Sequence, residues 1–348
     1  MDKIKDTITF IINPKSGTQS KDLILKWIDE RLDKDKYKLE VVYTQYAGHA
    51  VEIAAKKAQE GVYAVVAVGG DGTINEVARS LVHTQTALGI IPCGSGNGLA
   101  RHLQIPLEPA KAIEVINSGL KEVIDYGTIN GVAFFCTCGV GFDAFVSLKF
   151  SQAGRRGPLT YIEKALQESL KYKPETYEVE IDGNTSHYKA FLIACGNASQ
   201  YGNNAYITPR ATLNDGLLDV TILEPFTVLD VPALSFQLFN KTIDQNSRIK
   251  TFRCRTLHIH RSQTGVVHFD GDPVMMGEDI DIQVMEQGLQ VLVPSEEQKE
   301  NATVFQKAQD YINDLWQINE SIVEDLTNQN KRILDKGKRQ FKKLTKKN

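Results

Sequence analysis

The chain of 348 residues lacks any run of the roughly 18 to 20 apolar residues that a membrane-spanning helix needs. Its first residues are charged and lead straight into a β-branched segment, without the apolar core of a signal peptide. Five scattered cysteines favour reduced thiols in the cytoplasm over a disulfide scaffold. A net charge of -3 argues against a broadly basic surface, so no nucleic-acid partner is expected.

Two common nucleotide-binding motifs are also missing. The Walker A pattern G-x-x-x-x-G-K-[ST] does not occur, and no G-x-G-x-x-G opens the first predicted helix. These absences disfavour a P-loop nucleotidase and a dinucleotide-dependent dehydrogenase.

The first third of the sequence alternates strand-like and helix-like segments. Apolar, β-branched runs predict strands at 8–12, 39–43, 64–68 and 87–91, with helices at 20–33, 49–60, 75–82 and up to about 103. This alternation predicts a doubly wound parallel sheet.

Short strand-like runs, among them 187–195, dominate after about residue 124, with predicted helices only at 160–172 and 228–241 between them. The predicted fold class is therefore an α/β N-terminal domain with a parallel sheet, followed by a mostly antiparallel β-rich domain and a C-terminal helical extension. We expect a first domain at 1–125, completed by 285–294, a second domain at 126–284 and an extension at 295–348.

Three glycine-rich turns follow predicted parallel strands and precede predicted helices. Ligands bind at the carboxyl ends of such strands, and free amides at a helix N-terminus attract phosphate. The three turns together predict a ligand that bears phosphate. Their residues are Asn13, Pro14, Lys15, Ser16 and Gly17; Gly69, Gly70, Asp71, Gly72 and Thr73; and Cys93, Gly94, Ser95, Gly96, Asn97 and Gly98.

Asp71 is an acid inside a turn that should hold phosphate. A carboxylate repels phosphate unless a cation or water lies between them, so one hypothesis is a contact through magnesium. The alternative is an N-cap for a helix that begins near Ile74. Both roles can hold together.

At these motifs the sequence resembles the diacylglycerol kinase catalytic-domain family, which includes bacterial lipid kinases and the sphingosine and ceramide kinases. The resemblance covers roughly residues 5–294 and is carried by N-P-x-S-G, G-G-D-G-T-x-N-E and G-S-G-N. It implies ATP and Mg²⁺ as cofactors, bound between a nucleotide-binding domain at 1–125 and a lipid-substrate domain at 126–284. It further implies nucleotide contacts from the three turns and from Thr44 and Asn75.

The segment Phe269-Asp270-Gly271-Asp272-Pro273 stands where the family carries D-G-E. Phosphoryl transfer needs a carboxylate that orients and deprotonates the accepting hydroxyl. Asp270 and Asp272 are both candidates for this catalytic base, and the shorter side chain of Asp272 leaves the choice between them open. A plain Asp-Gly hairpin turn is the simplest alternative.

The segment around Asp215 resembles the N-D-G-L motif of the family. In bacterial relatives this motif holds a structural magnesium ion, which implies a metal site at Thr212, Asp215 and Leu217, besides Asp71. The residues alone equally allow a turn. Asp125 and Lys164 match polar positions that link the metal region to the catalytic site in some relatives.

The lipid substrate is less defined than the reaction. Diacylglycerol is the first expectation and a sphingoid base the second, because Asp143 matches an acidic position near the amino alcohol in sphingosine kinases. The sequence leaves two further hypotheses open: an NAD kinase, which shares the G-G-D-G-T turn, and an inactive nucleotide-gated membrane adaptor.

The final residues, 331–348, carry nine Lys and Arg and one Asp. A polybasic segment is attracted to anionic lipid, so this tail predicts peripheral contact with the inner face of the membrane. A solubilising tail, or one that folds onto the acidic segment 295–330, is the alternative. The resemblance also allows a homodimer.

Overall fold

The computed structural model describes residues 5–17, 20–153 and 172–301. Strands and helices alternate through the first third, as the sequence predicts. In chain order they are β1 (Asp6–Ile12), α1 (Lys21–Arg31), β2 (Tyr37–Tyr43), α2 (His49–Gln59), β3 (Ala64–Gly69), α3 (Asp71–Leu81), β4 (Ala87–Pro92), α4 (Gly98–His102) and α5 (Pro109–Ser118).

Four of these strands form a parallel array in the order β2-β1-β3-β4. Every residue of β3 and β4 is buried, which explains why both read as unbroken apolar runs. Because the strands are parallel, their carboxyl ends lie at one edge of the sheet. The three glycine-rich turns follow β1, β3 and β4 at that edge.

Strands dominate the second part. The elements are β5 (Lys121–Ile129), β6 (Val132–Phe134), β7 (Thr137–Gly141), α6 (Phe142–Ala153), β8 (Glu175–Ile181), β9 (Asn184–Ala190), β10 (Leu192–Gly196), β11 (Leu218–Leu223), α7 (Val231–Phe239), β12 (Ile249–Cys254), β13 (Thr256–His260), β14 (Gly265–Phe269), β15 (Asp272–Met276), β16 (Asp279–Leu292) and α8 (Glu296–Asn301). Short 3₁₀ helices lie at Val228–Asp230 and Ile243–Gln245.

Two sheets contain these strands. The parallel strands continue into an antiparallel portion, in the order β2-β1-β3-β4-β16-β13-β8-β9, with β5 and β6 beside β16. The second sheet is antiparallel, in the order β12-β11-β10-β7-β14-β15. Val291 near the end of β16 pairs in parallel with Leu88 of β4, so the chain returns to the N-terminal sheet. The predicted fold class is confirmed, whereas the predicted domain boundaries stay a prediction.

Strand β10 separates two apolar clusters of the second part. Ile193 and Cys195 face a core between the two sheets, and Leu192 and Ala194 face a smaller cluster that includes Leu234 of α7. Alternate residues of a strand point to opposite faces, so both faces of β10 are covered.

The sequence interpretation missed several elements. The predicted single strand 187–195 is divided at Phe191 into β9 and β10, which belong to different sheets. The helices α5 and α6 and the strands β5, β12 and β15 were not expected. The predicted helix at 160–172 falls almost entirely outside the described residues.

No helix in the described ranges is both long and apolar enough to cross a bilayer. The segments 302–348 and 154–171, which contain the basic tail and Lys164, lie outside the described residues.

Candidate active site

The three glycine-rich turns are packed against one another at the edge of the parallel sheet. A Cβ atom on Gly17 would lie 1.9 Å from the carbonyl oxygen of Cys93, and one on Gly94 would lie 2.6 Å from the Cα atom of Gly70. Gly17 also has a positive φ of 65°. Backbones at this separation leave no room for side chains, which is the physical reason for glycine at these positions.

Side chains of the first two turns join them by hydrogen bonds. Asn13 donates from Nδ2 to the Thr73 hydroxyl at 3.1 Å, and the Ser16 hydroxyl donates to the Asn13 carbonyl at 2.9 Å. Pro14, Lys15, Gly72 and Ser95 remain exposed around the edge, where a ligand has access to their backbone.

Thr44 lies immediately after β2, where its backbone N–H donates to the carbonyl of Ile12 at 2.9 Å. The sequence-predicted nucleotide residues therefore meet on one edge of the sheet, with Thr44 at its β2 end.

Asp71 is not the N-cap of its own helix that the sequence suggested. It is the first residue of α3, and its carboxylate accepts hydrogen bonds from the N–H groups of Asn97 and Gly98 at 2.8 and 2.7 Å. Asp71 thus ties the second turn to the third, at the start of α4. Burial raises the pKa of this carboxyl group, and the two N–H donors oppose that rise. Its magnesium role stays a prediction.

Asp270 and Gly271 form the two-residue loop of the hairpin between β14 and β15, in which Phe269 pairs with Asp272. Both loop residues have positive φ, 47° and 86°, as a type I′ turn requires. The structural alternative for this motif is thus correct, but it does not exclude a chemical role, because the hairpin carries Asp270 into the site.

The Asp270 carboxylate is held by four hydrogen-bond donors. The N–H of Phe135 and Nδ2 of Asn75 donate to Oδ2 at 2.8 and 2.6 Å, and the N–H groups of Cys136 and Thr137 donate to Oδ1 at 2.7 and 3.1 Å. A carboxylate offers about four acceptor positions, so all of them are occupied. Burial raises the pKa of Asp270, although these four donors favour its ionised form.

Asp272 differs from Asp270 in its surroundings. It is exposed at the start of β15, one residue beyond Gly271, which lines the cavity described below. The structure therefore separates the two carboxylates that the sequence ranks together. Asp270 joins β7 and α3 to the hairpin, whereas Asp272 stands at the solvent side of that junction.

Asp143, at the start of α6, belongs to a buried polar group that the sequence did not reveal. Its Oδ2 atom lies 3.0 Å from Nε2 of His268 and accepts a hydrogen bond from the Tyr201 hydroxyl at 3.1 Å, while its Oδ1 atom accepts from the N–H of Ala144. His268 is 2% exposed, and its Nδ1 atom has no hydrogen-bond partner in the described part of the chain. A signal was present: His268 is the polar residue in a strand that is otherwise apolar after Gly265.

A cavity of about 420 Å³ connects the site to the interior of the second part. One end is polar and contains Asp71, Asn75, Ser95, Gly96, Asp143, His268 and Asp270. The other end is apolar and is lined by residues that include Phe142, Phe191, Leu192, Leu223, Phe226 and Leu234. Sequence reasoning missed this apolar end because its residues come from distant segments.

Asp125 connects the loop of residues 211–217 to β16. Its Oδ2 atom accepts from the N–H of Gly216 at 2.8 Å, and its Oδ1 atom accepts from the N–H of Gln287 at 2.7 Å. Nδ2 of Asn197 donates to the carbonyl oxygens of Asp125 and Phe135 at 2.9 and 3.1 Å. Because the N–H of Phe135 also donates to Asp270, a chain of hydrogen bonds runs from this loop to the site, and the functional role of Asp125 stays a prediction.

The predicted metal position at Thr212, Asp215 and Leu217 is filled by protein groups. The Asp215 carboxylate accepts from the Thr212 hydroxyl, from the N–H of Leu217 and from the guanidinium of Arg253. Burial alone would raise the pKa of Asp215, but Thr212 and Arg253 together hold it below its ordinary value. No three His, Cys, Asp or Glu side chains within residues 5–17, 20–153 and 172–301 are grouped to hold a metal ion. Arg253 already supplies a positive charge beside Asp215, and the magnesium site at Thr212, Asp215 and Leu217 stays a prediction.

Comparison with known proteins agrees with this architecture. Residues 7–129 match the model of the diacylglycerol kinase catalytic domain, and residues 136–293 match that of the YegS C-terminal NAD kinase beta sandwich-like domain. The chain is 30% identical to the probable lipid kinase YegS of Escherichia fergusonii over 295 residues, which are 82% of this chain and 95% of that protein. It is 28% identical to a diacylglycerol kinase of Bacillus subtilis over 272 residues, 75% of this chain and 88% of the relative.

Other matches differ in coverage or show the fold alone. The chain spans 58% of the length of a Synechocystis protein to which it is 30% identical. A crystal structure of a diacylglycerol kinase from Bacillus anthracis superimposes with a TM-score of 0.66 at 19% identity, covering 83% of this chain and 97% of that one. An ATP complex of an NAD kinase from Archaeoglobus fulgidus gives 0.50 at 15% identity, covering 87% and 98% of the two chains.

The family models and the relatives show an enzyme of the lipid kinase class, which is a phosphotransferase. The chain belongs to the diacylglycerol kinase catalytic-domain family, together with the YegS lipid kinases. The resemblance expected from the glycine-rich motifs is thereby confirmed.

Proposed function

We propose that this lipid kinase transfers the γ-phosphoryl group of ATP to the free hydroxyl of diacylglycerol and so forms phosphatidic acid. The observation that carries the proposal is the cavity, whose lining includes both residues of the glycine-rich turns and an apolar wall. A cavity with a few polar groups at one end and an apolar remainder suits a molecule with a small head and a hydrocarbon body.

The donor would bind along the three turns. Backbone N–H groups of Gly72 and Ser95 lie at the edge where phosphate oxygens are best accommodated, close to the starts of the following helices. ATP would arrive as its magnesium complex, whose cation offsets the charge of the phosphates and of Asp71.

The acceptor hydroxyl would lie beside Gly271, between the turns and the apolar wall. We assign Asp272 as the base that removes its proton while the oxygen attacks the γ-phosphorus and the bond to the departing ADP breaks. Asp270 is unsuited to this role, because its acceptor positions are already filled by the N–H groups of Phe135, Cys136 and Thr137 and by Asn75. Asp270 instead positions the hairpin that carries the base.

The hydrogen bonds of Asp143 favour a lipid with a neutral head group over a sphingoid base with its ammonium group. Its carboxylate is already bound by His268, Tyr201 and the N–H of Ala144, so an ammonium ion would have to compete with these donors. Diacylglycerol needs no such exchange, because it carries no positive charge that would have to reach Asp143.

The test is a competition assay with labelled ATP and equal amounts of diacylglycerol and sphinganine in mixed micelles. We expect phosphatidic acid as the main labelled product, and Asp143→Asn should not abolish its formation. If the parent forms labelled sphinganine phosphate and Asp143→Asn does not, the substrate is the sphingoid base instead. Formation of NADP from added NAD would overturn the lipid assignment, and no transfer to any acceptor would favour an inactive adaptor.

A further inference from the structure

Helix α7 is apolar on nearly all sides, yet it lies at the surface. Its sequence is Val-Pro-Ala-Leu-Ser-Phe-Gln-Leu-Phe, with Ser235 and Gln237 as the polar residues. Leu234 is 8% exposed and belongs to the cluster around the cavity, whereas Phe236 is 69% exposed. A helix without a polar face is normally covered on all sides, so the exposed side of α7 needs an explanation.

The exposed apolar residues of this region lie on one side of the helix and of the turn before it. Leu229 lies in the 3₁₀ turn just before α7 and Phe236 lies on the helix, and they are the most exposed large apolar side chains of the described ranges, at 90% and 69%. We call this set the outer stripe; its members are Leu229, Pro232, Ala233, Phe236 and Phe239.

The outer stripe is continuous with the cavity. Phe239 is 40% exposed and also lines the cavity, as do Val231, Leu234 and Leu238 of the same helix. One side of α7 is therefore a wall of the cavity and the other faces solvent. Phe239 marks the place where the two surfaces meet.

Charges around the stripe are largely balanced by ion pairs. Lys250 pairs with Glu224 at 2.8 Å, Arg248 with Asp230 at 3.7 Å and Arg210 with Asp244 at 2.6 Å. A partner that covers the stripe would consequently be held by apolar contact rather than by charge.

We propose that the outer stripe inserts into the surface of a lipid bilayer and turns the mouth of the cavity toward the membrane. This inference rests on the proposed function, because a diacylglycerol molecule resides in a bilayer and its hydrocarbon chains must pass into the cavity. Exposed aromatic and aliphatic side chains on a helix bind membranes in proportion to the apolar area that they bury.

Vesicle sedimentation of the full chain tests the proposal. The parent protein should bind vesicles of pure phosphatidylcholine, and high salt should not release it. Leu229→Ser combined with Phe236→Ser should weaken this binding about tenfold or more, since two large apolar side chains are removed from the contact. The matched control is Leu23→Ser combined with Val123→Ser, which removes apolar side chains of 43% and 45% exposure outside the stripe and should have no effect.

Activity distinguishes a failed inference from a failed function. With a short-chain diacylglycerol dissolved as monomers, the stripe variant should be as active as the parent, which also shows that the variant folds. With long-chain diacylglycerol in vesicles, the variant should be about tenfold slower than the parent. A parent that phosphorylates neither substrate contradicts the proposed function. An active parent whose stripe variant is unimpaired on vesicles contradicts the inference.

Two other results would also overturn the proposal. Release of the parent by high salt would show that charged segments hold it on the membrane. A parent dimer that becomes monomeric in the stripe variant, with vesicle binding unchanged, would show that a second copy of the chain covers the stripe.

Discussion

At the scale of single residues, the site depends on carboxylates that are held by donors from other elements. Asp71 is bound by the start of α4, Asp125 by Gly216 and Gln287, and Asp143 by His268 and Tyr201. Each of these acids joins two segments that are far apart in the sequence. We infer the role of each acid from which of its carboxylate oxygens already accept hydrogen bonds from these donors.

The two acids of the hairpin should respond differently to loss of charge. Asp270→Asn places an amide N–H₂ group against N–H donors and should lower the free energy of unfolding by about 2 kcal/mol. Because Asp272 is exposed, Asp272→Asn should leave the free energy of unfolding unchanged. The kcat of this variant should fall about 100-fold, because the base is lost. Urea unfolding and steady-state assays measure both effects. A stable, inactive Asp270→Asn together with an active Asp272→Asn would assign the base to Asp270.

His102 should make the fold sensitive to acid. Burial, with a smaller effect of Lys241, lowers the pKa of His102 from 6.5 to about 4, and its Nδ1 atom accepts from the N–H of Ser199 at 3.0 Å. Because the unfolded chain takes up this proton first, the associated stability is complete above about pH 6.5 and is lost as the pH falls toward 4.

The corresponding measurement compares urea unfolding of the parent and of His102→Gln at about pH 7.5 and pH 5. Linkage predicts that His102 accounts for about 2 kcal/mol of the stability that the parent loses over this interval. The variant should lose that much less. An equal loss in both proteins would show that other groups cause the acid sensitivity.

At the scale of elements, the first third of the chain could be predicted well from its sequence. Buried parallel strands such as β3 and β4 are continuous apolar runs, and glycine-rich turns follow them, so the periodicity and the breaks both mark the boundaries. The turns were predicted to meet because the carboxyl ends of parallel strands share an edge.

The second part was less predictable, for physical reasons that particular elements show. The change of sheet at Phe191 is invisible in the sequence, because β10 is apolar on both faces and its neighbour β9 leads into it without a turn signal. His268, Arg253 and the apolar end of the cavity depend on contacts between distant segments. No local pattern encodes such contacts.

The loop of residues 211–217 should hold its structure without a metal ion. The melting temperature of the parent should be the same in EDTA and in millimolar magnesium, since Arg253 binds the carboxylates of both Asp215 and Asp219. Arg253→Met should lower the free energy of unfolding by about 1 kcal/mol in either buffer. Arg255→Met, whose exposed partner is Glu286, is the control and should have a smaller effect. A clear rise in the parent's melting temperature with magnesium would show that the loop binds the metal ion.

At the scale of the whole molecule, one structure brings together a phosphate-binding edge, a hairpin with two acids and an apolar cavity. The parallel sheet supplies the edge, and the antiparallel sheet supplies β7, β10 and β14 around the cavity. The strand β16 joins the two parts by pairing with both β4 and β13. In the proposed reaction, the nucleotide and the lipid would approach the same hairpin from different sides.

The most direct test of this account is to incubate the full-length protein with ATP labelled at the γ-phosphate and a total lipid extract, and then to identify the labelled lipid by mass spectrometry. The account predicts that the label appears in phosphatidic acid and that Asp272→Asn forms little or none of it. Label in no lipid, or only in a sphingoid base phosphate, would contradict it.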